Sequence, residues 1–233
     1  MKLSKWQALG NDYLLVEQDD RLTADDARDL SRDTDGVLEV RGSEVTVWNP
    51  DGSVAEMSGN GARIAAAWLA RKTGSPQVRF RIGERDVMAM VEGDEIVLDA
   101  GPVEVGEPET IVVDGEALEL TTVSVGNPHA VVRHDPADVR GLGPLLERHP
   151  RFPERTNVQL VRVDGAHELT VGVWERGAGE TLASGTSAVA AAAAAVANGW
   201  CTSPVTVHMP GGDLFVELAD GRARLTGPAV ELA

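Results

Sequence analysis

Val47-Trp48-Asn49-Pro50-Asp51-Gly52-Ser53-Val54-Ala55-Glu56-Met57-Ser58-Gly59-Asn60-Gly61-Ala62 and Val173-Trp174-Glu175-Arg176-Gly177-Ala178-Gly179-Glu180-Thr181-Leu182-Ala183-Ser184-Gly185-Thr186-Ser187-Ala188 lie over one another at an offset of 126 residues. Val-Trp and Ser-Gly fall in register, and so do the alanines at 65–67 and 191–193. Upstream, Leu9-Gly10-Asn11-Asp12 is echoed by Val125-Gly126-Asn127-Pro128-His129 at an offset of 116. A duplicated unit is the economical explanation, so the chain reads as two related halves.

Each copy holds a β-branched and aromatic run, 44–48 or 168–174, that leads into a Gly-containing loop, the composition of a strand and its turn. An alanine-rich segment follows, 61–72 or 186–198, with Gly74 and Gly199 as stops, and this predicts a helix. The second helix is almost wholly Ala and Val over 188–197; lacking a polar face, it must be buried on most sides. Further β-like segments at 77–82, 87–91, 95–98, 131–133, 158–163, 205–208 and 214–218 predict a mainly antiparallel sheet around each buried central helix. The expected fold is therefore α/β (α+β), with two pseudo-symmetric domains over 1–108 and 109–226 and a linker at 101–108.

The composition bounds the function. The 233 residues are 42% hydrophobic and 25% charged, ordinary values for a soluble globular protein. No apolar run reaches membrane-spanning length, and Met1-Lys2-Leu3-Ser4-Lys5-Trp6 lacks the apolar core of a signal peptide, so a cytoplasmic protein without a membrane partner is expected. With 37 acidic and 21 basic residues the formal charge is −16, which repels a phosphate backbone; nucleic acid is not an expected partner. Cys201 is the single cysteine and the five histidines show no ligand spacing, so no metal is expected.

Two Ser-Gly elements at the start of equivalent buried helices are the candidate chemistry. Ser before a helix is most often an N-cap. Two in register, in related halves, can instead direct two helix N-termini, with their unpaired amides and partial positive charge, at one shared carboxylate-binding cleft.

Leu9-Gly10-Asn11-Asp12, Asn49-Pro50-Asp51-Gly52, Glu56-Met57-Ser58-Gly59-Asn60-Gly61, Gly126-Asn127-Pro128-His129, Thr156-Asn157-Val158 and the run from Glu175 to Thr186 resemble, in order, the motifs of diaminopimelate epimerase. The resemblance covers nearly the whole chain. It implies a cofactor-independent, two-base interconversion of LL- and meso-2,6-diaminopimelate, a step of lysine and peptidoglycan-precursor biosynthesis, performed by a homodimer. In this family one thiolate removes the α-proton while a thiol on the opposite face delivers another; the two matching positions here are Ser58 and Ser184. By the same resemblance, Asn11, Asn49, Asn127 and Asn157 would hold the distal amino-carboxyl end. Gly59, Asn60, Gly185 and Thr186 would receive the reacting carboxylate. His129 and Glu175 would flank the reacting centre with Arg176 beside Glu175, and residues 227–233 would return to the first half as a strand.

Serine at both positions has an energetic consequence. A thiol of pKa about 8.5 reaches thiolate readily at a helix N-terminus. If a serine lies even ~4 pKa units higher, forming the base costs roughly 5 kcal/mol more at ~1.36 kcal/mol per unit, or about 10³- to 10⁴-fold in rate. Three other readings compete. A serine hydrolase would need a Gly-x-Ser-x-Gly elbow that neither serine occupies. A nucleotide-binding module would need the third glycine of a dinucleotide fingerprint, where Leu182 stands. A divergent member of the same fold, either a non-catalytic amino-acid binder or an epimerase or racemase of another amino acid, keeps the pocket and changes its use.

Overall fold

The computed structural model describes residues 1–55 and 58–232; Glu56 and Met57 of the first Ser-Gly motif lie outside the described residues. The chain divides into two compact units, Met1–Asp99 with Thr226–Ala233, and Ala100–Leu225.

In the first unit β1 (Lys2–Ala8) and β2 (Asn11–Glu17) form an antiparallel pair, and α1 (Ala24–Leu30) crosses over to β3 (Gly36–Arg41), which runs parallel to β2. β4 (Glu44–Trp48) returns antiparallel to β3; α2 (Gly59–Thr73) then crosses to β5 (Gln77–Ile82), parallel to β4. β6 (Arg85–Glu92) and β7 (Glu95–Pro102) continue as an antiparallel meander.

The second unit repeats the plan. After β8 (Glu104–Val105) and β9 (Glu109–Val113), β10 (Glu116–Ser124) pairs antiparallel with β11 (Pro128–Arg133). The helix α3 (Val139–Glu147) crosses to the parallel strand β12 (Asn157–Gly165), and β13 (Glu168–Glu175) returns antiparallel with β14 (Gly179–Thr181) folded against it. α4 (Gly185–Ala197) crosses to β15 (Val205–Met209), parallel to β13, and β16 (Gly212–Ala219) and β17 (Arg222–Pro228) follow. β18 (Val230–Leu232) pairs antiparallel with β1.

The registers correspond as well as the order. Tyr13 opposes Gly36 where His129 opposes Asn157, and Val37 opposes Trp48 where Val158 opposes Trp174. The sheets are mainly antiparallel, with two parallel steps per unit, each spanned by a helix as a parallel crossover requires.

The central helices are buried as their composition demands. All residues from Ser187 to Ala195 have lost their solvent, and α4 packs on β10, β11, β12, β13, β15 and β16. Alanine lets strands close on several sides at interior density; a larger residue in mid-helix would cost about 1–3 kcal/mol in overpacking. The first unit surrounds α2 with a core that includes Trp6, Leu15, Leu38, Ile64, Phe80 and Ile96.

Two expectations need correction. The stretch read as a linker, 101–108, is strand over half its length, because β7 runs on to Pro102 and β8 occupies Glu104–Val105. Each unit also contains a second, short helix that composition did not reveal. α1 has seven residues and is held by a capping box between Thr23 and Asp26. α3 contains Gly141, Gly143 and Pro144, all poor helix formers. Gly143 is required by packing: a Cβ there would sit 2.7 Å from the Trp174 side chain.

Candidate active site

At the N-terminus of α2, Ser58 is extended (φ −135°, ψ 116°) and its Oγ accepts a hydrogen bond from the Gly61 amide at 3.0 Å. The Tyr13 hydroxyl lies 3.3 Å from the same oxygen. One turn further in, Arg63 is fully buried. Its guanidinium donates to Asn60 Oδ1 at 2.6 Å, to Gly59 O at 3.4 Å and to Pro228 O at 3.2 Å. Burial lowers its pKa to about 10, against the opposing charge of Glu95 and the effect of Tyr13, so it remains a cation at neutral pH. The positive end of α2 is thus reinforced by a buried charge, and the Asn60 side chain is fixed by it.

Ser184 opens α4 from nearly the same conformation (φ −144°, ψ 125°), but its side chain makes no cap. Its Oγ donates to Glu175 Oε2 at 3.2 Å. Folding of β14 against β13 brings Glu175 opposite Gly179 and sets its carboxyl beside Thr181 and Ser184. Although part of the Glu175 residue reaches the surface, desolvation of the carboxyl raises its pKa, with the Thr181 and Ser184 hydroxyls working the other way. The first-turn amides of α4 have no acceptor within the helix.

The remaining polar groups of the second unit gather at the same ends of β11, β12 and β13. Asn157, 6% exposed, donates from Nδ2 to Pro128 O at 2.9 Å and accepts at Oδ1 from the Arg176 amide at 2.9 Å. His129 is 1% exposed, with Nε2 2.9 Å from Asn127 Oδ1. Burial drives its pKa down to about 3; Gln159 opposes this and the Arg176 charge adds to it, so the ring is neutral at physiological pH. Beneath the loop that carries Glu175 and Arg176, the buried Glu147 accepts from Trp174 Nε1 at 2.9 Å and Gly177 N at 3.0 Å. Burial pushes that carboxyl up, but these donors with Arg148 and Arg155 outweigh it and hold it below the usual range.

Of the residues singled out in the sequence, Asn127, His129, Asn157 and Arg176 form one linked group and Glu175 with Ser184 another. Ser58, Gly59 and Asn60 gather around Tyr13 and Arg63. Gly185 and Thr186 are the first residues of α4. Asn11 Nδ2 donates to Leu9 O at 3.2 Å and Asn49 Nδ2 to Ser53 Oγ at 2.9 Å, so each closes its own turn.

Sequence reasoning missed Tyr13, Arg63, Glu147 and Gln159. A signal existed for the first two: Tyr13 falls on His129 at the 116-residue offset, and Arg63 is the single charge in the first dozen residues of α2. None of the described helices is long and apolar enough to cross a membrane.

Comparison with known proteins gives a consistent result. Residues 121–231 match the family model for diaminopimelate epimerase. The diaminopimelate epimerase of Desulfitobacterium hafniense is 36% identical, covering 98% of this chain and 95% of that protein. The diaminopimelate epimerase of Pseudomonas entomophila is 37% identical, covering 100% and 97%. Among solved structures, a phenazine biosynthesis protein of the PhzF family from Enterococcus faecalis superposes with TM-score 0.74 at 13% identity, covering 99% of this chain and 96% of that one. A hydroxyproline epimerase from Agrobacterium vitis superposes with TM-score 0.68 at 15% identity, covering 99% and 90%. These likenesses establish the shared fold.

Proposed function

The chain belongs to the diaminopimelate epimerase family, and from that membership we propose that it is an isomerase-type protein that binds LL- and meso-diaminopimelate and inverts the α-carbon only slowly. The observation that carries the reading is the pair of equivalent serines, each heading a buried helix, with Gly59-Asn60 and Gly185-Thr186 as the first helical residues. Helix N-termini suit a carboxylate, and the buried Arg63 cation adds to that preference. Asn11, Asn49, Asn127 and Asn157 are assigned to the distal amino-carboxyl end, with Glu175 and Arg176 at the loop that completes the site.

Inversion without a cofactor requires a base on one face of the carbon and an acid on the other. Ser58 and Ser184 stand where the family places cysteines, and neither forms an alkoxide at neutral pH. Glu175 accepts the Ser184 proton in a hydrogen bond, yet even a carboxylate with a raised pKa is far too weak a base to ionise a hydroxyl. Binding uses groups that do not depend on the thiols and so survives where inversion does not. His129, neutral and buried, contributes a polar group rather than a charge beside the substrate.

The test is direct. Titration calorimetry with meso- or LL-diaminopimelate should show binding, while α-proton exchange into D₂O, followed by NMR, should be slow. Rapid exchange by the Ser/Ser form would contradict the pKa argument; no binding would refute the assignment of substrate. The resemblance also supports a homodimer, which light scattering of the purified chain would check.

A further inference from the structure

We propose that Gln159 is a positioning residue that fixes the uncharged His129 ring as its Nδ1–H tautomer and leaves the Nε2 lone pair turned toward Asn127. His129 Nδ1 and Gln159 Oε1 are both buried and have no hydrogen-bond partner among the described residues. They lie on one face of the sheet: Gln159 opposes Val131, two residues along β11 from His129. The Gln159 side chain is close enough to His129 to favour a proton on the ring. Each atom therefore supplies what the other lacks once the ring proton sits on Nδ1.

The alternative places that proton on Nε2, donated to Asn127 Oδ1 at 2.9 Å. A neutral imidazole carries one N–H and cannot serve both oxygens. As placed, Gln159 turns its Nε2 to Ser187 Oγ at 3.0 Å, which leaves Oε1 for the ring; both residues are fully buried, and the Ser187 hydroxyl, donor and acceptor alike, suits either amide orientation. Asn127 is half-buried in the loop between β10 and β11, so its amide can rotate and offer an N–H to the ring. With Gln159 in this orientation, leaving its Oε1 without a donor in the interior would cost more than turning the half-buried Asn127 amide.

The first unit shows that the fold itself does not demand this device. There Tyr13 stands for His129, Leu38 opposes Leu15 as Gln159 opposes Val131, and Gly61 takes the place of Ser187. Leu38 lies so close that a Cβ on Gly61 would come within 2.9 Å of its Cδ2. An apolar contact in one unit is thus replaced in the other by two polar pairs, Ser187–Gln159 and His129–Asn127, which the proposed Nδ1–H would join into one chain.

The consequence for ligand recognition rests on the proposed function: an Nε2 lone pair accepts a hydrogen bond from an ammonium or amide group and repels a carboxylate. The tautomer itself is read without any ligand. Two-bond ¹⁵N–¹H spectra of the histidine-labelled protein at pH 7, with His129 identified by its loss in His129→Gln, should show Nδ1 protonated and Nε2 bare. Gln159→Glu, which keeps an acceptor, should retain that pattern, and Gln159→Leu should move the proton to Nε2. A parent protein with Nε2 protonated, or a Gln159→Leu protein that keeps the Nδ1 proton, would overturn the proposal. If Gln159→Leu does not fold, the parent spectrum alone decides. Failure of diaminopimelate to bind would refute the proposed function and leave this readout standing.

Discussion

The two units place the same serine in the same backbone conformation at the start of the same helix, and use it differently. Ser58 Oγ is an acceptor that caps α2 through the Gly61 amide, whereas Ser184 Oγ is a donor to the Glu175 carboxylate and caps nothing. Around them the contrast continues, with Tyr13, Leu38 and Gly61 in one unit and His129, Gln159 and Ser187 in the other. A duplication thus preserves backbone geometry while the side chains that surround each helix start diverge, one side toward packing and capping, the other toward a polar network. The equivalence of the two serines lies in position and not in electrostatics.

The largest expected effect tests whether the two positions still work as a pair. Ser58→Cys with Ser184→Cys should raise α-proton exchange of diaminopimelate by about 10³- to 10⁴-fold, read by NMR in D₂O, because each thiolate removes the alkoxide cost. Either single change should recover far less, since one thiol supplies only the acid or only the base.

A second comparison concerns the buried carboxylates that anchor the equivalent tryptophans. Glu39 accepts from Trp48 Nε1 at 2.9 Å and Leu22 N at 3.0 Å, as Glu147 does from Trp174 and Gly177. Replacing either by Leu should cost roughly 2–4 kcal/mol in urea unfolding, because two donors are stranded. Glu147→Gln should cost much less, since one acceptor oxygen remains. Only the Glu147 changes should also weaken diaminopimelate binding, as the loop they loosen carries Glu175 and Arg176.

The His129 ring should make the second unit sensitive to acid. Its folded pKa, about 3, lies below the unfolded value of 6.5, so stability is fully present above pH 6.5 and falls as the pH drops toward 3 while the unfolded chain takes up the proton. His129→Gln should remove a part of that acid loss amounting to about a few kcal/mol at ~1.36 kcal/mol per pH unit, seen as a flatter plot of unfolding free energy against pH.

The smallest effect separates the serines themselves. Ser58→Ala should cost about 1 kcal/mol, the worth of a cap, and equally at pH 4 and pH 7. Ser184→Ala loses no cap. It removes a donor from a carboxyl whose folded pKa is already raised, a group whose contribution is present below its unfolded pKa and lost as pH rises through the folded one. Its cost should therefore appear at pH 7, at about 1 kcal/mol or less, and vanish near pH 4. Equal pH dependence for the two variants would remove the distinction.

Much of this was legible in the sequence. The repeat announced two related units, and Ala-rich segments closed by Gly74 and Gly199 located α2 and α4, which run Gly59–Thr73 and Gly185–Ala197. The capping reading of a serine before a helix holds for Ser58 and fails for Ser184, and no local pattern distinguishes them. α1 and α3 were missed because seven residues carry little periodicity and because Gly141, Gly143 and Pro144 are poor helix formers, of which Gly143 is explained only by its close approach to Trp174.

By itself, then, the sequence determined the duplication and the positions of the buried helices, because composition, register and turn chemistry are local and survive without coordinates, and its motifs marked the family. The tertiary structure alone decided that Arg63 is a buried cation, that Glu175 and not a backbone amide engages Ser184, and that Gln159 lies against His129. Those outcomes depend on which strand lies beside which and on what each side chain loses when water leaves, and neither is written in the order of neighbouring residues.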